Sequence, residues 1–288
     1  MRVFATWYGE KYAQLARVWR TSLRLNCPLA EVSCDISSPP HQAISVYGHH
    51  VAGNTHKLGI WAEMADQAIK DNQCIVLMDA DMIVLSDLHV AFEQFSKGAD
   101  VAYTTRPGKI PYNAGIIFLR PTEGARAFMQ TWVDYNALLL KSRIRVRHAV
   151  ERFGGINQAA LDRLLRAAQL QHIAYIATLP CAILNSEQNT WRKFGPETAV
   201  LHIKGSLRRH IARGKQGLPG GSWREQIVYV YRQIEKEAGH DDEYVSETRG
   251  DSSDAALAAD SGLYPDGGST GVLCSDAAAP AGATAIFG

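Results

Sequence analysis

Asp79 and Asp81 stand directly after a wholly apolar run, Cys74-Ile-Val-Leu-Met78. A short apolar run bounded by polar residues reads as a strand buried on both faces. Its two carboxylates therefore emerge at the C-terminal end, the edge at which open α/β sheets bind ligands. If the chain stays extended, residues two apart lie on one side and can share a divalent cation with diphosphate oxygens. Carboxylate oxygens are hard ligands that suit Mg²⁺ or Mn²⁺. The competing reading is an acidic turn in which one Asp caps a following helix.

Four more polar clusters adjoin apolar stretches further along the chain. Tyr112-Asn113-Ala114-Gly115 precedes Ile116-Ile-Phe-Leu119, and Phe153-Gly-Gly-Ile-Asn157-Gln158 leads into a helical pattern. Leu184-Asn185-Ser186 follows Leu179-Pro180, and His202-Ile-Lys204-Gly205-Ser-Leu-Arg208-Arg209 follows Ala199-Val-Leu201. Taken in order with the Asp-x-Asp, the set resembles glycosyltransferase family 8 and its relatives, the glycogenin-like retaining enzymes with a GT-A fold. The resemblance spans roughly residues 1–210.

The resemblance implies an α/β fold whose central mixed, mostly parallel sheet is flanked by helices. It implies a metal-dependent transferase that takes a sugar from a nucleotide diphosphate, most commonly UDP. Asp79, Asp81 and His202 would hold Mn²⁺ (or Mg²⁺). Arg208 stands where the family has its phosphate-contacting Lys, in one motif with Lys204 and Gly205. Arg can serve the same diphosphate, even bidentately. Asn113, with Ala114 beside it, occupies the family's donor-sugar motif, and Asn157-Gln158 occupies its Asp-Gln pair. Thr6, Tyr8 and Tyr12 are the candidates beside the nucleobase, and Lys57 takes the place of a basic residue near the donor. This chain departs from the family in having Asn at 157 and no Pro-Trp after Arg208.

Breaking a glycosyl–diphosphate bond puts charge on the departing diphosphate, which a divalent cation with Lys204 or Arg208 would stabilise. The transition state is oxocarbenium-like, as in glycoside hydrolysis. Gln158 is a neutral amide and a poor nucleophile, so departure and attack on one face of the sugar are expected, with Gln158 steadying the cationic sugar. Retention of configuration is implied by the resemblance. Acceptors in keeping with this reading are glycan, lipid-linked or protein hydroxyls. Two alternatives stay open. Asp-x-Asp after an apolar strand also opens the haloacid-dehalogenase phosphatases, although Ile83 stands where they usually carry Thr or Val. A non-catalytic nucleotide-sugar or glycan-binding module would also keep these residues.

The elements that must position this chemistry follow from periodicity. Strands are expected at residues 3–6, 31–36, 74–78, 100–104, 115–119, 173–177 and 199–203. Helices are expected at about 12–23, 56–70, 122–140, 157–168 and 223–238. Strands alternating with helices mean an α/β sheet with parallel portions. The basic run Lys141, Arg143, Arg145, Arg147 and Arg152 alternates with apolar residues and reads as a solvated edge.

At 288 residues with 46% hydrophobic side chains, the chain is large enough to bury a full core. One domain over residues 1–240 is expected. Residues 241–288 are rich in Ala, Ser, Gly and Asp and read as a flexible tail. Lys and Arg number 30 against 29 Asp and Glu, and this balance argues against bulk nucleic-acid binding. No run reaches the length of a membrane span, and the first residues show no signal-peptide pattern. Five cysteines without metal-knuckle spacing fit reduced thiols in a cytoplasmic protein.

Overall fold

The computed structural model describes residues 1–8, 12–108, 110–167 and 172–249. In chain order its strands are β1 (Arg2–Thr6), β2 (Glu31–Asp35), β3 (Ile75–Asp79), β4 (Met82–Val84), β5 (Val101–Thr105), β6 (Tyr112–Leu119), β7 (Ile176–Pro180) and β8 (Val200–His202). The helices are α1 (Ala13–Asn26), α2 (His41–Lys70), α3 (Leu88–Ser96), α4 (Glu123–Leu140), α5 (Arg143–Phe153), α6 (Ile156–Arg166), α7 (Cys181–Leu184), α8 (Gly205–Ala212) and α9 (Trp223–Arg249). A six-stranded sheet has the order β2-β1-β3-β6-β5-β7, and only β6 runs against its neighbours. The expected mixed, mostly parallel sheet flanked by helices is the one observed.

Alternation along the strands makes two cores. Val76, Met78, Ile116 and Phe118 face one side, where Trp19 and Leu23 of α1 and Phe92 of α3 cover them. Ile75, Leu77, Ile117 and Leu119 face the other, against Trp61 of α2, Phe128 and Trp132 of α4 and Leu161 of α6. A strand covered on both faces must be apolar at every position, which is why Ile75 to Met78 carries no alternation. A third cluster joins Leu15 and Val18 of α1 to Ile83 of β4, Leu201 of β8, Leu207 of α8 and Ile227, Tyr231 and Ile234 of α9.

Several elements differ from the sequence expectation. Strand β7 lies later than residues 173–177, because its register against β5 pairs Val101 with Ile176 and Thr105 with Pro180. β7 ends the sheet, where a missing proline N–H leaves no ladder bond unmade. α2 starts well before residue 56, its two helical pieces joined at Gly48, whose φ of 79° needs a glycine. The basic run from Arg143, for which no element was expected, forms helix α5, started by Ser142 Oγ accepting from the Arg145 backbone N–H at 3.4 Å. Arg143, Arg145, Arg147 and Arg152 are exposed on it, so its solvated character holds. α9 runs to Arg249, past the expected tail boundary at 241. Residues 250–288 of that expected tail lie outside the described residues. No helix among the described residues is long and apolar enough to cross a membrane. Among the described residues Cys27, Cys34, Cys74 and Cys181 form no disulfide, and Cys274 lies outside the described residues.

Candidate metal and donor site

The register of the central strands sets the floor of the site. Thr6 at the end of β1 lies beside Asp35 of β2 and Asp79 of β3, so the three strands finish together. A turn at Ala80 and Asp81 then sends the chain into β4, which pairs antiparallel with β8 and places Met82 opposite His202. The Ile203 backbone N–H donates to the Asp81 carbonyl at 2.8 Å, locking that register. A short two-stranded ribbon thus brings His202 to the Asp-x-Asp from far along the chain.

His202 Nε2 lies 3.0 Å from Asp81 Oδ1 and 3.7 Å from Asp79 Oδ2. One donor atom from each residue falls within 4.8 Å of the others. Two carboxylates and one imidazole make a donor set that fits a divalent ion such as Mn²⁺ or Mg²⁺. His202 is buried, and the Asp81 side chain is 11% exposed. Burial pushes the Asp81 carboxyl up, but His202, Arg208 and Lys204 outweigh it and hold it below the ordinary carboxylate range. Gly115 on β6 belongs to this packing, since a Cβ there would lie 2.7 Å from Met82 Cε and 2.9 Å from His202 Cε1. Its lack of a side chain makes room for the imidazole.

Cations surround the carboxylates. Lys57 Nζ donates to Asp79 Oδ1 at 2.6 Å and lies 4.4 Å from the Trp61 ring centroid. The Arg208 guanidinium donates to Asp81 Oδ2 and covers the Tyr12 ring. Thr6, Tyr8, Lys57, Asp79 and Asp81 line one cleft of about 210 Å³. Tyr12 also lines it, and Trp7, His50, Gly53 and Asn54 do so without having been singled out from sequence. The missed signal is a helical stripe, because His50, Gly53, Asn54 and Lys57 follow the i, i+3, i+4, i+7 spacing of one α2 face. A Cβ at Gly53 would meet the Tyr8 hydroxyl at 1.6 Å, so a larger residue there would push the tyrosine out of its place in the cleft. That hydroxyl donates to the His49 carbonyl at 3.2 Å, and burial with the nearby Tyr12 pushes the phenol up.

The remaining sequence candidates are engaged outside this cleft lining. Asn113 is buried, its Oδ1 accepting from the Gly115 N–H at 2.9 Å. Gln158 Oε1 accepts from the Ala114 N–H, and its Nε2 donates to the Tyr112 carbonyl, both at 2.9 Å. Gln158 therefore braces α6 against β6 and does not cap its helix. Asn157 is buried, its Oδ1 accepting from the Gln158 N–H and its carbonyl accepting from Trp132 Nε1, both at 2.9 Å. Lys204 Nζ lies 3.5 Å from Glu187, a buried carboxylate that Arg106 also holds at 2.8 Å. Burial pushes Glu187 up, but Lys204 and Arg106 prevail and hold it below its ordinary range. Gly205 opens α8, so the segment after His202 is helical and its first turn carries Arg208 back to Asp81.

No family model and no curated protein matches the chain. Solved structures do. A glycosyltransferase involved in glycosylation of the major capsid of PBCV-1 superposes with a TM-score of 0.50 at 10% identity, covering 74% of this chain and 98% of that one. The glycosyltransferase GlyE of Streptococcus pneumoniae TIGR4 gives 0.48 at 15% identity, over 84% and 63%. The galactosyltransferase LgtC, solved with donor and acceptor sugar analogues, gives 0.47 at 11% identity, over 83% and 96%. At such identities the likeness is one of fold, and the fold is of the GT-A glycosyltransferase type.

Proposed function

We propose that the chain is a metal-dependent glycosyltransferase that moves a sugar from a nucleotide diphosphate, UDP-linked, to an acceptor hydroxyl with retention of configuration. The acceptor would be a glycan, lipid-linked or protein hydroxyl. The observation that carries this reading is the meeting of Asp79, Asp81 and His202 at the C-terminal edge of a GT-A sheet. Bound there, a divalent ion supplies Lewis-acid stabilisation of the departing diphosphate. The imidazole favours Mn²⁺ over Mg²⁺.

The chain's own groups account for the rest. Tyr8, Trp7 and Tyr12 line the cleft with aromatic surface suited to a nucleobase. Lys57 and Arg208 are already anchored on Asp79 and Asp81, which holds two cations beside the place where diphosphate charge develops. Lys204 adds a third cation two residues beyond His202. Gln158 keeps a second oxygen lone pair beyond its bond from Ala114, and this neutral acceptor can steady a cationic sugar. With no nucleophile stronger than an amide assigned to the sugar, attack and departure share one face, and a diphosphate oxygen receives the acceptor's proton. Asn113, Ala114 and Asn157 then shape the donor site from below through the backbone contacts they make around Gln158.

The test is a thermal-shift panel of nucleoside diphosphates with and without Mn²⁺. Ligand at a hundredfold excess over Kd adds about 2.7 kcal/mol to stability. Stabilisation by UDP with Mn²⁺, abolished by EDTA and weaker with Mg²⁺, is expected. Tight diphosphate binding with no turnover of any sugar donor would favour a binding module. Phosphate release from simple monoesters without nucleotide would favour a phosphatase.

A further inference from the structure

We infer that Asn185 is a positioning residue that fixes the His202 tautomer and keeps Nε2 free to coordinate, a role that rests on the metal reading above. Asn185 sits at the end of α7 with no solvent exposure, beside Thr104 of β5, which is equally buried. Its Nδ2 donates to Thr104 Oγ1 at 2.9 Å, and its Oδ1 lies 3.0 Å from His202 Nδ1.

The directions of these bonds are set by what surrounds them. The Cys181 thiol donates to the Asn185 carbonyl at 3.0 Å, and the Thr104 oxygen accepts from Asn185 Nδ2 at 2.9 Å. With the amide NH₂ donating to the Thr104 lone pair, the amide oxygen is the atom that faces the imidazole. Oxygen can only accept, so the proton on the His202 ring sits at Nδ1. Nε2 is left with its lone pair pointing at Asp81 Oδ1 and Asp79 Oδ2. A cation placed among these three atoms would satisfy them all, and the chain from Cys181 through Thr104 and Asn185 favours the imidazole form that can take a metal. Outer partners of this kind commonly change metal affinity about 10–100-fold.

The variants are Asn185→Leu, which removes the acceptor at similar volume, Asn185→Asp, which keeps an acceptor, and Thr104→Val, which frees the amide to turn. Long-range ¹H–¹⁵N spectra of the neutral imidazole report the tautomer, with Mg²⁺ and UDP as diamagnetic ligands, and calorimetry reports Mn²⁺ affinity. The wild-type protein should carry its ring proton on Nδ1. Asn185→Leu should bind Mn²⁺ at least tenfold more weakly with an unchanged circular-dichroism spectrum, Asn185→Asp should recover most of that loss, and Thr104→Val should show a mixture of tautomers. A wild-type proton on Nε2, or a folded Asn185→Leu protein with wild-type Mn²⁺ affinity, overturns the inference. Should Asn185→Leu fail to fold, the wild-type and Thr104→Val spectra decide. Absence of Mn²⁺ binding by the wild-type protein would instead strike the metal reading, while the spectra still judge the tautomer.

Discussion

Asp81 accepts from Arg208 on one oxygen and faces His202 on the other, so its charge is shared between a cation and a ligand-forming nitrogen. Asp81→Asn keeps the shape and removes the charge. UDP binding should then lose its dependence on Mn²⁺ in titration calorimetry, with the far-ultraviolet spectrum unchanged, and retained dependence would remove Asp81 from the ligand set. Gln158→Ala should lower kcat more than it weakens donor binding, because the proposed role of its amide grows as the sugar becomes cationic. Equal losses in both would leave Gln158 as a brace between α6 and β6. Glu187 allows a test against pH. Its folded value is depressed, so its stabilisation is present above its unfolded value of about 4.5 and is lost as pH falls through the lower folded value. Glu187→Gln should therefore cost on the order of 3 kcal/mol at neutral pH, leaving Arg106 and Lys204 without their anion. In melting curves the gap to wild type should close as the pH is lowered toward 3, and a gap constant with pH would deny the ion cluster its role.

At the scale of elements, the β4–β8 ribbon makes the site. It is short, and its register rests on side chains on its back, Ile83 and Leu201, packed into the cluster shared with α8 and α9. Leu201→Ala should cost about 2–5 kcal/mol in denaturant unfolding, as full burial of a leucine predicts. Gly115→Ala probes the other side of the ribbon. Its Cβ would press on Met82 and the His202 ring, so Mn²⁺ affinity should fall roughly tenfold while the protein stays folded. Undiminished affinity would mean that Met82 alone moves aside. Much of this layer was legible beforehand. The apolar run before Asp79 could only be a central strand, and α1, α4 and α6 showed their buried stripes. β4 was not legible, because three apolar residues are too few to show a period. α5 was not legible because its arginines at every second position show no helical stripe, whereas helix formation is settled by its cap and by the burial of Ala149.

Across the whole molecule, α9 closes the third cluster against α1, the ribbon and Trp191, so it belongs to the domain that carries the site. The composition of residues 250–288, poor in large apolar side chains, predicts that they add no core. A chain ending at Arg249 should keep the melting temperature and the UDP affinity of the full chain. A drop of several degrees would show that the segment packs on the domain.

The sequence alone determined the class of fold and put two carboxylates at the end of its central strand. Burial on both faces, alternation and strand-end polarity are local patterns, and local patterns survive without neighbours. Lys57, Thr6 and Tyr8 could be named beside the donor only through resemblance, and the cleft then brought them together with Asp79 and Asp81. The tertiary structure decided what depends on partners distant in sequence. It set His202 against Asp81 through the β4–β8 register, committed Gln158 to the β6 backbone, and turned His50, Gly53 and Asn54 toward the cleft. It also placed Asn185 behind His202. A buried amide or imidazole has no sequence period of its own. Its role is fixed by which donor or acceptor the fold brings within about 3 Å, and only the packed chain contains that distance.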